Sequence, residues 1–390
     1  MPTKIIALAV AQSCYWFAVL IGVSLSAIIG VKLAPHPSLA TLPFGLVSLG
    51  ALLSTYQLSI FMQQRGRRLG LRLGALAGTS SALLCMASIY FESFNLFCLA
   101  SLLMGIYQAS SVFYRLAAMD EAPEDKKGSV MGWVLSGSLL AAILGPSLAK
   151  VANQWFSDPE YLGAYLFVGI FASIAFLLLG KLSNPVVNKS ASAVTTRHFL
   201  KHSGYRMGVL NTAFGQFIMM LMMVVTPLAM HSHHYTTDQG ISVIGWHIIG
   251  MFLPSFVSGK LIDRFGSGAI AMAGLAVFAF STLAAISGMV LLNYYVSLFL
   301  LGIGWNFLYM SGTGQYSAAI EEAEKGKGQG IAELIVAFSS IVAVIGGGVL
   351  INWFDWQQLN YGVLVLLAIM GVLNWIVRCV SRDSSSRPVQ

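Results

Sequence analysis

Four residues in the second half of the chain carry soft lone pairs at matched spacing. Met219 and Met223 stand four apart in "FIMMLMMVV", and His247 and Met251 stand four apart in "HIIGM". Residues four apart share a face of a helix, so each pair lays its donors along one stripe. At about 1.5 Å per residue, Met223 and His247 fall roughly 10 and 9 Å below the same ends of their helices, Met219 and Met251 roughly 17 and 15 Å. On antiparallel helices, that sets Met223 level with His247 and Met219 level with Met251. Thioethers do little for Mg²⁺ or Ca²⁺ and suit Cu(I), and their neutrality permits release as well as capture. A histidine inside a membrane helix is a functional candidate by default. Methionine is also a flexible core filler, and Met220 and Met222 in the same run read as packing.

Other chemistry is sparse. Met230, His231, His233 and His234 follow the methionine run, with His36 in another loop, and together can collect a metal at an outer mouth. Gln12, Tyr15, Asn211, Gln216 and Asn306, with Trp16, Tyr107, Trp305 and Tyr309, can line a cavity for an organic solute or bond helix to helix. No Asp or Glu lies mid-segment in the first half. Glu333 sits about one turn into the eleventh apolar segment, placed to pair with Arg67 or Arg68 or to cap its own helix. Cys14, Cys85, Cys98 and Cys379 form no C-x-x-C pair, so neither a disulfide framework nor a zinc site is indicated. No catalytic constellation is present, and the reading is not of an enzyme.

The elements that must position these residues are membrane helices. Of 390 residues 57% are hydrophobic and 9% charged, against roughly a quarter charged in soluble domains. Twelve apolar segments fall near 5–30, 42–63, 69–91, 94–118, 129–153, 161–182, 207–230, 241–262, 268–292, 294–318, 330–353 and 359–379. The first is full length without a small-residue cleavage site, so it is expected to stay as a helix. Twenty of the 22 Lys and Arg gather in alternate loops, leaving only Lys32 and Lys150 on the other side. That bias predicts cytoplasmic N and C termini in an inner membrane. The pI near 9.2 therefore reports topology, and no nucleic-acid patch stands behind it.

The chain reads as two halves: a six-helix bundle over 1–182, a cytoplasmic linker over 183–206, and a second six-helix bundle with a short tail over 207–390. A shift of 200 residues aligns "SIFMQQRGRR" (59–68) with "GKLIDRFGSG" (259–268), and "EAPEDKKG" (121–128) with "EEAEKGKG" (321–328). Both pairs fall in loops on the same side, as a parallel duplication requires. This resembles the major facilitator superfamily, whose loop signature G-x-x-x-D-R-x-G-R-R is divided between the copies. Gly259, Asp263, Arg264 and Gly266 keep its start, Gly66, Arg67 and Arg68 its end, and Gln63 replaces the first copy's acid. The resemblance implies an all-α fold of two bundles in which Arg67, Arg68, Asp263, Arg264 and Glu333 gate the inner face. "GWVLSGSLLAAILGP" (132–146) partly resembles the glycine and proline motif of superfamily antiporters, with Ala141, Ala149 and Lys150 as departures.

The two Met/His motifs followed by "GMFLPSF" look like the CcoA-type copper importers of bacteria. The resemblance implies Met219, Met223, His247 and Met251 as copper ligands, copper as cargo with no permanently bound cofactor, and delivery toward cytochrome oxidase assembly. Related members of that branch are associated with riboflavin. The expectation is thus a monomeric multi-pass protein of a bacterial inner membrane that imports copper by alternating access. The alternatives are an importer of riboflavin or a similar planar solute, an antiporter-like exporter, and a membrane metal sensor.

Overall fold

The computed structural model describes residues 3–36, 39–155, 159–183, 196–351 and 353–385. Most of the expected linker, 184–195, and the side chains of Pro146, Ala149, Lys150 and Cys379 lie outside the described residues. In the remainder every regular element is helical: α1 (Thr3–Leu33), α2 (Leu42–Arg65), α3 (Arg67–Tyr90), α4 (Phe94–Ser111), α5 (Tyr114–Asp120), α6 (Lys127–Ser136), α7 (Ser138–Gln154), α8 (Leu162–Leu179), α9 (Thr196–Phe199), α10 (Ser203–Ser232), α11 (Thr237–Phe252), α12 (Ser255–Phe265), α13 (Ser267–Ile286), α14 (Leu291–Ala318), α15 (Lys325–Leu350) and α16 (Trp356–Ser385). Twelve spans among them are long and apolar enough to cross a membrane. That is the expected number, since only a helix satisfies every backbone group within its own segment in lipid.

Three spans are each two helices in line. The eighth breaks between α11 and α12 at Pro254, which has no N–H to continue the ladder. The fifth breaks at Gly137, whose added Cβ would lie 2.2 Å from the Ala9 carbonyl oxygen of α1, so the junction stays bare for close approach. Two of the turns between spans are matched. Gly66 joins α2 to α3 at φ 95° and Gly266 joins α12 to α13 at φ 80°, a left-handed geometry that side chains strain against. They stand 200 residues apart, where the internal repeat places them.

The chain forms two compact units. One comprises Met1–Glu124, Trp133–Ala193 and Glu322–Ala337; the other comprises Asp125–Gly132, Val194–Glu321 and Phe338–Gln390. In the first, α2 and α4 meet where Gly50 and Gly105 leave only backbone between them, and Tyr107, Phe113 and Tyr114 fill the interior. In the second, α14 is the shared neighbour: α10, α11 and α13 each pack along it. Small residues permit this, since Gly208, Gly215 and Gly274 sit directly against α14 and Gly302 against α11.

Candidate functional site

Aromatic side chains of α14 organise the interior of the second unit. Trp305 stacks on Tyr309 with ring centroids 4.6 Å apart and planes at 19°. It meets Phe252 of α11 edge-on at 6.1 Å. The indole Nε1 donates to Gln216 Oε1 of α10 at 2.9 Å. An indole nitrogen only donates, so the Gln216 oxygen must face it and the amide NH₂ points away.

The register along α14 places the Met/His stripes. Gln216 of α10 stands opposite Trp305, and His233, just past the end of α10, opposite Tyr294, so Met219 and Met223 fall between them. On α11, His247 stands opposite Leu298, and Met251 offers its carbonyl to Asn306. Both stripes therefore lie along the same stretch of α14, 294–306, while α10 and α11 touch each other only sparsely. Met219 and Met251 are buried, Met223 half-buried and His247 wholly enclosed. His247 Nδ1 lies 2.8 Å from the Leu298 carbonyl oxygen, which can only accept, so Nδ1 carries the proton. In the neutral ring Nε2 is then a lone pair, and that atom is buried without a hydrogen-bond partner.

The four residues of the predicted mouth are not brought together. Met230 is buried, His231 and His234 are exposed, and His233 Nδ1 is held 2.6 Å from Tyr294 Oη. Met230 and His233 lie three apart on one face, whereas His231 points about 100° round the helix from Met230, so the three do not converge on one ion. Among the described residues, no group of three or more His, Cys, Asp or Glu is arranged to hold a metal.

Most of the predicted cavity-lining amides are engaged elsewhere. Asn306 donates to the Met251 carbonyl at 2.8 Å and to Ser255 Oγ at 2.6 Å, and accepts from Ser258 Oγ at 2.8 Å, clamping the α11–α12 junction to α14. Asn211 and Asn374 exchange amide hydrogen bonds at 2.9 and 2.8 Å, and Asn211 also donates to Gln315. Gln12 donates to Ser138 Oγ at 3.2 Å. Tyr15 is buried, edge-on to Tyr107 at 5.2 Å. These bonds satisfy polar groups that would be costly in an apolar interior.

Each of the two units holds one of a pair of related clasps. Asp263, at the close of α12, accepts from the backbone N–H of Gly128 at 2.8 Å and of Ser129 at 2.9 Å, and from the Ser129 hydroxyl. A carboxylate on the first amides of α6 fits both the unpaired N–H groups and the dipole. Arg264 is exposed over the Phe265 ring. Two hundred residues earlier, Ser59 donates to the Gly326 carbonyl at 2.7 Å, in the first turn of α15, and Gln63 to the Ala323 carbonyl just before that helix. The same crossing is thus closed by a neutral amide.

Glu333 is where the structure corrects the expected pairing. It binds neither Arg67 nor Arg68; its carboxylate lies 2.6 Å from Arg115 Nη2, with both side chains 2% exposed. Arg115 also donates to the Val112 carbonyl. Arg67 instead pairs with Asp120 at 3.0 Å and donates to Gln329, while Lys325 binds Asp120 from the other side at 2.9 Å. Gln329 precedes Glu333 by one turn, about 6 Å along α15, so Arg67 meets the outer position and the deeper Arg115 the inner one. Arg68 is half-buried and makes no ion pair among the described residues. Arg115 and Asp120 had a signal in the sequence, as charges at the end of an apolar segment, but nothing there paired them.

A family model described as Major Facilitator Superfamily matches residues 6–254 and again 207–390. The chain belongs to that superfamily. It is therefore a multi-pass membrane transporter and not an enzyme. Riboflavin transporter RfnT of Brucella anthropi is 34% identical over 372 residues, covering 94% of each chain. Among solved structures, a bacterial homologue of the iron transporter ferroportin matches with TM-score 0.74 at 13% identity, covering 99% of this chain and 100% of that one. The E. coli fucose:proton symporter FucP matches with TM-score 0.74 at 13% identity, covering 96% and 99%. At such identity these structures speak for the superfamily fold alone.

Proposed function

We propose that the protein is an inner-membrane importer of riboflavin or a closely similar planar heteroaromatic solute. It works as a monomer without a resident cofactor. Two bundles, 1–182 and 207–390, joined by the linker 183–206, alternate access to a site near mid-membrane. The observation that carries this reading is the relationship to the Brucella anthropi riboflavin transporter over nearly the whole of both chains. The half-buried Gln216 amide, held by the buried Trp305–Tyr309 stack, supports it, since a polar-edged ring system needs a few oriented polar groups in an otherwise apolar site.

The test is uptake of riboflavin by a bacterium that neither makes nor imports it. The protein restores growth at limiting riboflavin, and Trp305→Ala lowers initial uptake about tenfold, the effect of one lost aromatic contact of about 1.5 kcal/mol. Absence of riboflavin uptake with the wild-type protein correctly inserted in the membrane overturns the reading.

Copper import is a second reading, favoured by one observation: the enclosed, unpartnered Nε2 of His247, on the same stretch of α14 that the Met219/Met223 pair and Met251 occupy. A lone pair of that kind suits Cu(I). Under this reading Met219→Leu and His247→Leu each reduce cellular accumulation of radioactive copper. Normal accumulation in both variants sinks it and leaves His247 as a packing element of α11.

A further inference from the structure

We propose that Gln216 is the specificity-determining donor of the substrate site, reading a carbonyl on the edge of a planar heteroaromatic substrate. The inference rests on the solute class proposed above and adds the residue and chemical group that recognise it.

Gln216 lies fourteenth in the thirty-residue helix α10, near mid-span. Its oxygen is committed to Trp305 Nε1 at 2.9 Å, leaving the NH₂ as the group on offer. That NH₂ makes no hydrogen bond among the described residues, and it is not among the enclosed polar atoms that lack partners. It therefore opens onto space. At mid-span, an unpaired amide facing hydrocarbon would cost several kcal/mol, so the space beside it is a hydrated cavity. The other amides at comparable depth, Asn211 and Asn306, are consumed by helix-to-helix bonds.

The amide is also held in place. Trp305 is fixed on one face by Tyr309 and at its edge by Phe252, so its N–H cannot turn away from Gln216. A donor oriented before the substrate arrives gives up little entropy on binding. With its oxygen turned to the indole, the amide presents its hydrogens to this space, and their complement is an acceptor such as a ring carbonyl of a pyrimidinedione. The half-exposed Met220 and Met223, about one and two turns further along α10, leave the rest of this stripe apolar.

The purified full-length protein is titrated with riboflavin by flavin fluorescence, and with 2-thio- and 4-thioriboflavin, whose sulfur accepts a hydrogen bond more weakly. The wild type binds riboflavin in preference to at least one thio analogue. Gln216→Leu raises the Kd for riboflavin about tenfold and loses that preference. Gln216→Met keeps the length of the side chain with neither a donor nor an amide oxygen, so it shows the same loss in a near-isosteric side chain. Trp305→Phe keeps the aromatic face, releases the amide and weakens the preference without abolishing binding. If the wild type binds no flavin, the substrate reading falls. If the wild type binds riboflavin and either Gln216 variant keeps both affinity and preference, this inference falls alone.

Discussion

Replacing Glu333 with alanine lowers the stability of the detergent-solubilised protein by about 3–5 kcal/mol, read as a large fall in melting temperature. The cause is the partner left behind. Arg115 is 2% exposed, and its guanidinium lies 2.6 Å from the Glu333 carboxylate. Removing the acid leaves a buried cation without its counter-charge, and the interior cannot solvate it. Replacing both residues with methionine removes the two charges together and returns most of the lost stability, because a buried ion pair contributes little beyond an apolar pair of the same size. The pair of experiments also separates a clasp from a proton relay. A clasp predicts that the folded double variant still transports; a relay predicts that it is stable and inactive. A single variant as stable as the wild type would show that the pair carries no weight.

That clasp ties the end of the fourth span to the eleventh, joining residues 218 positions apart, and its pairing was not legible in the sequence. Sequence reading finds charges at the ends of apolar segments, because spacing along one helix fixes depth. It does not find which of several cations at that end meets a given acid, since rotation and tilt are set by packing. Arg67, Arg68 and Arg115 are all basic and all near the same surface, and about 6 Å of depth along α15 decided between them. The clasp at Asp263 was legible because the duplicated loop carries it in local sequence, and its partner amides follow from where α6 starts. The spans were legible for a different reason: hydrocarbon forces every backbone group into a helix, so hydropathy alone counts them. The spacing that puts Met219 with Met223, and His247 with Met251, on one face of its helix was legible from the sequence. That α14 is the neighbour both stripes share was not, because no pattern within α10 or α11 names the helix each packs against.

The two halves also show how a duplication is used unevenly. Positions 63 and 263 occupy the same place in the repeat, and each closes a helix crossing at the start of the opposing helix. Asp263 accepts from backbone N–H groups, whereas Gln63 donates to a carbonyl, so the chain direction of the bonded group is reversed between copies. An amide can do either; a carboxylate can only accept. The first crossing therefore loses the favourable interaction of a negative charge with a helix N-terminus and relies on the Asp120, Arg67 and Lys325 cluster beside it.

Gly302→Ala is expected to damage the second unit by more than its one added methyl group. A Cβ on Gly302 would stand 2.5 Å from the His247 carbonyl oxygen and 2.7 Å from both Gly250 C and Met251 N. All three are backbone atoms, so no side chain can turn aside, and α11 must move away from α14. Gly250 makes the converse approach, its absent Cβ 2.5 Å from the Phe299 carbonyl oxygen. Overpacking of this kind costs about 1–3 kcal/mol. The displacement stretches the His247 to Leu298 and Asn306 to Met251 hydrogen bonds and draws Phe252 off the edge of Trp305. A glycine with open space supplies the control. Nothing lies within 4 Å of a Cβ on Gly346, inside α15, so Gly346→Ala is neutral or gains about 0.5–1 kcal/mol from helix propensity. Melting temperatures measured on the two variants should diverge, Gly302→Ala losing stability and, on the proposed function, riboflavin binding with it. An unchanged melting temperature in Gly302→Ala would mean that α11 and α14 do not meet along this glycine seam, and the shared register of the two Met/His stripes would fall with it.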